Sequence, residues 1–475
     1  MNNMAFCVHG HFYQPPREDP LTGKIPIEPG AAPYRNWNER INAQCYRPNA
    51  ELGNFEHISF DVGPTLMDWM AKHDPETMNR IIDQERKNLE TYGVGNAMAQ
   101  AYNHTILPLG SYIDKVTQVR WGIADFEFRY HHKPEGMWLP ETAVDDETLW
   151  VLAEQGIKFT ILAPWQANTD HLDATRPYRI SLPGRNGEAD HDIAAFFYNR
   201  DLSTRISFDP GTTVNADRFV EEDLLPKYEL HKGNALVPQL MLMASDGELY
   251  GHHQPFRDKF LSHLMDGALH QHPIISTFPG LALRNQTDLE TLTVQQNSSW
   301  SCQHGLSRWS GECACTANSG WKAPMRQALK QIAAMIDDQY LSVAERYFDD
   351  PWELRHQYIH VVHGVATVEE LVMSLADHPV TKDVLRQLTL LLRAQFERQR
   401  MFTSCGWFFD DFDRIEPRNN IAYAAHAVLL TEMAVEENLA QPAEAALSCV
   451  SSWRSGLCAD DVFRRHMQRA EKAWK

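Results

Sequence analysis

The apolar positions of this chain follow two regimes. Up to about residue 320, short continuous apolar runs alternate with stretches of helical periodicity. The runs cover residues 4–8, 57–61, 95–100, 135–139, 158–163, 193–198 and 237–244. Strands buried on both faces read as continuous apolar runs, and helices between them make the sheet parallel. Helical patterns occupy residues 65–73, 75–92, 115–129, 142–156 and 216–225, with Thr65 as a candidate cap and Pro75 where a first helical turn tolerates proline. Seven strand candidates, most of them separated by helices, predict an α/β fold with a parallel barrel. From about residue 322 the period changes. Residues 325–348, 352–362, 367–376, 384–398 and 421–437 carry the spacing of amphipathic helices. The organisation predicted is a barrel over residues 1–320 and a helical C-terminal domain over 321–475. Residues 19–57, rich in Pro, Asn and Arg, read as a long ordered loop.

The strand candidates end in polar or aromatic side chains. In parallel barrels the chemistry sits at those C-terminal ends. His9 and His11 follow the first run, Asp61 the second and His104 the third; Glu141 follows the fourth, Trp165 the fifth, and Asp246 and Glu248 the seventh. Glu141 and Asp246 are the two carboxylates best placed for catalysis. Retaining glycoside hydrolysis needs such a pair, one as nucleophile and one as proton donor, about 5–5.5 Å apart. The plainer alternatives are that Glu141 caps the following helix and that Asp246-Gly247 only begins a turn.

Charge narrows the partners. A net charge of −19 and a pI near 5.6 argue against nucleic acid or an anionic membrane surface. A neutral glycan suits this balance. No signal-peptide pattern and no apolar run of transmembrane length is visible, so a cytoplasmic protein is expected. Eight cysteines in 475 residues do not form a disulfide framework, and reduced thiols are expected. Oligomeric state is not legible.

Three motifs taken together resemble glycoside hydrolase family fifty-seven: His9-Gly-His11-Phe-Tyr-Gln-Pro, Trp138-Leu-Pro-Glu141 and Ser245-Asp246-Gly-Glu248-Leu-Tyr-Gly251. They occur in that family's order and at comparable separations. The resemblance covers about residues 4–320. It implies an incomplete (β/α)7 barrel of the glycoside hydrolase/deacetylase type, followed by a helical region. It also implies a retaining hydrolase or transglycosylase acting on α-glucan, such as glycogen or maltodextrin, through a glycosyl-enzyme intermediate. By the same resemblance Glu141 is the nucleophile, Asp246 the general acid/base, and His9 and His11 contact the sugar. His104, Trp138, Trp165, Glu248, His304 and Trp309 are further candidates for substrate contact. Within the family the chain is most similar to a bacterial subgroup with a C-terminal domain of unknown function, of which Cys405-Gly-Trp-Phe-Phe-Asp-Asp looks like a part.

The glycoside chemistry requires no cofactor. A second constellation, Cys302, His304, Cys313 and Cys315, has ligand types suited to structural zinc, although a dithiol or plain buried cysteines would also explain it. Two other functions compete. A metal-dependent polysaccharide deacetylase would use His9, His11 and Asp61 as ligands, although no His-x-x-x-His lies at a strand exit. A non-catalytic glycan-binding barrel would have little reason to keep both carboxylates.

Overall fold

The computed structural model describes residues 3–474 except 186, 188, 230, 231, 235, 236, 285 and 287. Its contacts define two compact units that interleave along the chain. One comprises residues 3–14, 27–101 and 126–300, and the other 15–26, 102–125 and 301–474. The sequence suggests a single boundary near residue 320, whereas each unit gathers several segments.

The described residues of the first unit form nine strands: β1 (Met4–Phe12), β2 (Ser59–Val62), β3 (Ala97–Gln100), β4 (Met137–Trp138), β5 (Phe159–Leu162), β6 (Tyr178–Leu182), β7 (His191–Phe197), β8 (Gln239–Asp246) and β9 (Ile274–Ser276). Seven of them correspond to the apolar runs. One sheet runs β4-β3-β2-β1-β8 and another β5-β7-β6. A parallel bridge from Gly136 to Phe159 joins β4 to β5, and the Asn199 N–H donates to the Leu242 carbonyl at 2.7 Å beside β8. Seven parallel strands therefore follow one another around a ring that is thinly closed at two seams, an incomplete barrel.

Alternate residues point inward. Ala5 and Cys7 from β1, Met98 from β3, Trp138 from β4, Phe159 and Ile161 from β5, Ala194 and Phe196 from β7, and Leu240, Leu242 and Ala244 from β8 form one buried cluster. The same alternation carried towards the C-terminal rim brings in His9, His11, Asp61 and Asp246 (period 2). The core thus fixes which face of each strand the polar rim residues occupy.

Three expectations need correction. β6 and β9 were not predicted. β6 pairs antiparallel with β7 on the outside of the ring, with only alternate residues buried, and β9 is three residues long. Residues 19–57 are not a continuous loop: short helices occupy Trp37–Ile41, Arg47–Glu51 and Asn54–His57, the first capped by Asn36 accepting from the Glu39 N–H at 3.0 Å. Thr65 is not a cap, because Pro64 opens that helix and the Thr65 hydroxyl donates to the Gln14 carbonyl at 2.6 Å.

The second unit is helical over Lys322–Ala344, Pro351–Gln357, Val368–Leu375, Lys382–Arg400, Ile415–Val435, Ala440–Leu447 and Ala459–Trp474. Its apolar core includes Trp121, Tyr340, Leu354, Leu388, Leu391 and Leu392. Among the described residues, no helix is long and apolar enough to cross a membrane.

Candidate active site

Strand register builds the first part of the site. Parallel pairing sets His9 beside Ser59 and His11 beside Asp61 on one side of β1, and His11 beside Asp246 on the other. Asp61 is wholly buried and acts only as acceptor. The His9 Nε2–H donates to its Oδ1 at 3.2 Å and the His11 Nδ1–H to its Oδ2 at 2.8 Å. His9 Nδ1 lies 3.0 Å from the Ser59 hydroxyl, from which it accepts. Burial lowers the His9 pKa and keeps that ring neutral. Burial acts the same way on His11, but the charge and hydrogen bond of Asp61, with Asp246 and Glu248 nearby, overcome it and push His11 up to about 9. Burial alone would raise Asp61, and the paired histidines hold it below the usual carboxylate range instead. The triad is one imidazolium, one carboxylate and one neutral imidazole. Trp138, wholly buried, stacks against His9 at 4.7 Å and His11 at 5.3 Å between ring centroids.

Glu141 stands in a strained turn. It has φ 58° and ψ 20°, and Thr142 beside it has φ 48°, so two successive non-glycine residues are left-handed. A β-branched residue rarely adopts that conformation; strain of this kind costs about 1–3 kcal/mol per residue and persists only where the surroundings impose it. Gln166, wholly buried, imposes it here. Its Oε1 accepts from the Thr142 hydroxyl at 2.8 Å and the Ala163 N–H at 2.9 Å, and its Nε2 donates to the Thr142 carbonyl at 2.8 Å and the Ser298 hydroxyl at 3.1 Å. Trp300 holds Glu141 itself. Its main-chain N–H donates to the Glu141 carbonyl at 3.0 Å and its indole Nε1–H to Glu141 Oε2 at 3.1 Å. The following helix, Asp146–Glu154, is capped by Asp145, which accepts from the Thr148 N–H at 2.7 Å. Glu141 is therefore not its cap.

Asp246 ends β8 with its side chain open to solvent. Surrounding protein raises its pKa first through burial; His11 and His253 oppose this and Asp61 adds to it. Water at the carboxyl limits the size of the rise. Glu248 is different. It is buried, and its Oε1 accepts from the Tyr46 hydroxyl at 2.6 Å and the Tyr13 N–H at 3.1 Å. Burial pushes it up to about 7 against the pull of Tyr46, with Asp246 adding to the rise.

The sequence-predicted residues divide between the units. His9, His11, Glu141, Asp246, Glu248, Trp138 and Trp165 belong to the barrel unit. Trp165 is exposed, with its indole N–H donating to the Ser299 carbonyl at 3.0 Å and the Arg200 guanidinium 5.7 Å from its ring. It offers a face on which a sugar ring can stack, whereas Trp138 is a buried wall. His104, His304 and Trp309 belong to the helical unit. There His104 is buried with Nδ1 2.6 Å from the Ser404 hydroxyl, and Trp309 is wholly buried. Trp300, Gln166 and Asp61 carry more of the geometry than the motifs suggested. Asp61 and Gln166 were visible as polar residues at strand ends, but no motif pointed from Trp300 to Glu141, 159 residues away. Cys302, His304, Cys313 and Cys315 do come together, with ligand atoms all within 4.8 Å of one another, a set that could hold a metal ion.

Comparison with known proteins fits this picture. The profile of glycosyl hydrolase family 57 matches residues 30–281, and a domain of unknown function (DUF3536) matches residues 318–471. The chain belongs to glycosyl hydrolase family 57. It is 24% identical over 220 residues to alpha-amylase 1 of Dictyoglomus thermophilum, a match that spans 45% of this chain and only 29% of that protein. Among solved structures it resembles an exo-type maltose-forming amylase from Pyrococcus sp. ST04 (TM-score 0.74, 15% identity, 98% of this chain and 88% of that one). It also resembles a branching enzyme from Pyrococcus horikoshii (TM-score 0.62, 14% identity, 99% and 95%). These likenesses establish a shared fold.

Proposed function

We propose that this protein is a retaining glycoside hydrolase or transglycosylase acting on α-glucan, with Glu141 as nucleophile and Asp246 as general acid/base. The observation that carries the proposal is the Trp300 indole holding the Glu141 carboxylate at the C-terminal end of a barrel strand, in the same unit whose β8 ends in Asp246. Family membership and the amylase and branching-enzyme folds support the substrate class.

In this mechanism ionised Glu141 attacks the anomeric carbon. Asp246, its pKa raised by the surrounding protein and by Asp61 against the pull of His11 and His253, gives its proton to the leaving oxygen. Once the glycosyl ester forms, Asp246 takes a proton from the incoming acceptor. Water as acceptor gives hydrolysis, and a sugar hydroxyl gives transfer. Glu248 fits the acid role less well, since it is buried and tied to Tyr46 and Tyr13. The deacetylase alternative needs His9, His11 and Asp61 as metal ligands. Asp61 instead lies within hydrogen-bonding distance of one ring nitrogen of each histidine, and no His-x-x-x-His stands at a strand exit. Eight cysteines, none paired in a disulfide, suit a reducing compartment, and the proposal places the enzyme in the cytoplasm.

The test is fluoride release from α-glucosyl fluoride with a maltosaccharide acceptor present. Wild type should release fluoride and give product of retained configuration. Asp246→Ala should keep residual glycosylation, because fluoride needs little protonation to leave, and Glu141→Ala should show none. Release by Glu141→Ala at the wild-type rate would overturn the nucleophile assignment.

A further inference from the structure

Residues 301–321 of the helical unit have little regular structure of their own. Their described elements are the four-residue helix Ser307–Ser310 and the single turn Ser319–Trp321. The stretch is nonetheless folded around one point. Cys302 Sγ lies 3.4 Å from Cys313 Sγ and 4.0 Å from Cys315 Sγ, and His304 Nδ1 lies 3.4 Å from both Cys313 Sγ and Cys315 Sγ. We propose that Cys302, His304, Cys313 and Cys315 bind one zinc ion as a structural Cys3His site, with His304 ligating through Nδ1.

Geometry supports it first. A tetrahedron with Zn–S of about 2.3 Å and Zn–N of about 2.0 Å has S···S edges near 3.8 Å and S···N edges near 3.5 Å. The S···S separations of 3.4 and 4.0 Å bracket the first edge, the two S···N separations of 3.4 Å lie just under the second, and all four ligand atoms lie within 4.8 Å of one another. None approaches the roughly 2.05 Å of a sulfur–sulfur bond, and none of the three cysteines is in a disulfide.

Charge supports it independently. On binding, three thiols give up their protons, and Zn2+ with three thiolates and a neutral imidazole carries one net negative charge. Two cationic side chains, Lys322 buried and Arg308 half-buried, each have a buried nitrogen without a hydrogen-bond acceptor among the described residues. Lys322 is wholly buried with an unpartnered Nζ; burial, aided by Arg308, lowers its pKa to about 8, and negative charge on Cys313 and Cys302 would oppose that fall. Arg308 has a buried, unpartnered Nε, with its guanidinium 4.5 Å from the Phe408 ring. A buried ammonium is costly without an anion, and the zinc–thiolate centre supplies one.

An entry path exists. Cys302 and Cys313 are buried while His304 and Cys315 are exposed, and an opening of about 360 Å³ is lined by Glu312, Cys313, Asn318 and Ser319. Four protein ligands close the coordination shell, so the ion is structural. It ties residue 302 to residue 315 around the buried Trp309, whose carbonyl accepts from Arg326 Nε. The site stands apart from the glycoside chemistry and does not rest on it.

The experiment is metal analysis of the full chain purified without chelator, with X-ray absorption at the zinc edge. The expected result is one zinc per chain in an S3N shell with Zn–S of about 2.3 Å. Three cysteines should resist thiol reagents until a chelator is added. Cys313→Ser with Cys315→Ser should lose the metal, and Cys449→Ser, at an exposed cysteine, should keep it. Lys322→Met should hold zinc roughly tenfold more weakly against a chelator. Should the double variant not fold, cobalt substitution of wild type decides: tetrahedral thiolate bands support the site. A metal-free native protein with reactive thiols, a Cys302–Cys313 disulfide found by mass spectrometry, or an octahedral cobalt spectrum would each overturn it.

Discussion

Trp300 grips Glu141 twice, donating its main-chain N–H to the Glu141 carbonyl at 3.0 Å and its indole N–H to Glu141 Oε2 at 3.1 Å. The first bond holds the strained backbone, and the second orients the carboxylate. Trp300→Phe removes only the second. A hydrogen bond to a charged group is worth about 1.5–3 kcal/mol. Turnover on α-glucosyl fluoride should fall roughly 10- to 100-fold, with a melting temperature close to wild type. Unchanged turnover would show that the indole does not position Glu141 for the reaction.

Gln166 holds Thr142 of the left-handed pair through two hydrogen bonds and is itself fixed by two more, to Ala163 and Ser298. Gln166→Leu leaves buried partners unsatisfied and should destabilise by about 2–4 kcal/mol. Activity should fall further than the loss of folded protein explains, because the turn carrying Glu141 relaxes. Denaturant unfolding and kcat on the same preparation separate the two effects.

The His9–Asp61–His11 cluster predicts a pH dependence of stability. The His11 pKa is raised to about 9 in the folded protein, against about 6.5 when unfolded. The folded state therefore binds the extra proton. Its contribution, of order 3 kcal/mol and seen from Asp61 as the same interaction, is fully present below pH 6.5 and is lost as pH rises through about 9. Asp61→Asn should flatten the fall in stability between about pH 6.5 and 9, measured by denaturant unfolding across that range. A variant with the wild-type slope would show that His11 is not protonated.

Glu248 acts in the same direction over a lower range. Its pKa is raised to about 7, so the folded state holds a proton that the unfolded chain has lost above about 4.5. Stability falls as pH rises between those values. Tyr46 donates to Glu248 Oε1 and lowers its pKa. Tyr46→Phe should extend the fall above pH 7, and a midpoint unchanged across that range would exclude this role.

The sequence by itself determined the class of fold and the family, and it singled out the carboxylates to which the proposed chemistry is assigned. Continuous apolar runs require strands buried on both faces, and helices between them require a parallel arrangement, so seven strands of the ring and their polar ends were legible. Local rules also found many of the longer helices, because a 3.6-residue period is written within a few turns of chain, but they missed Arg200–Phe208, Ala440–Leu447, Ala459–Trp474 and the short helices within residues 19–57. Elements whose burial comes from elsewhere were not legible: β6 rests on β7, and β9 takes its pairing from β1. Only the tertiary structure decided how the site is held. Register placed Asp61 and Asp246 on either side of His11. Packing brought Trp300 to Glu141 across 159 residues, and Gln166 held a turn that neither Glu141 nor Thr142 favours alone. Contacts between distant segments leave no periodicity in the chain, and the energy that stabilises a strained turn lies in the residues around it.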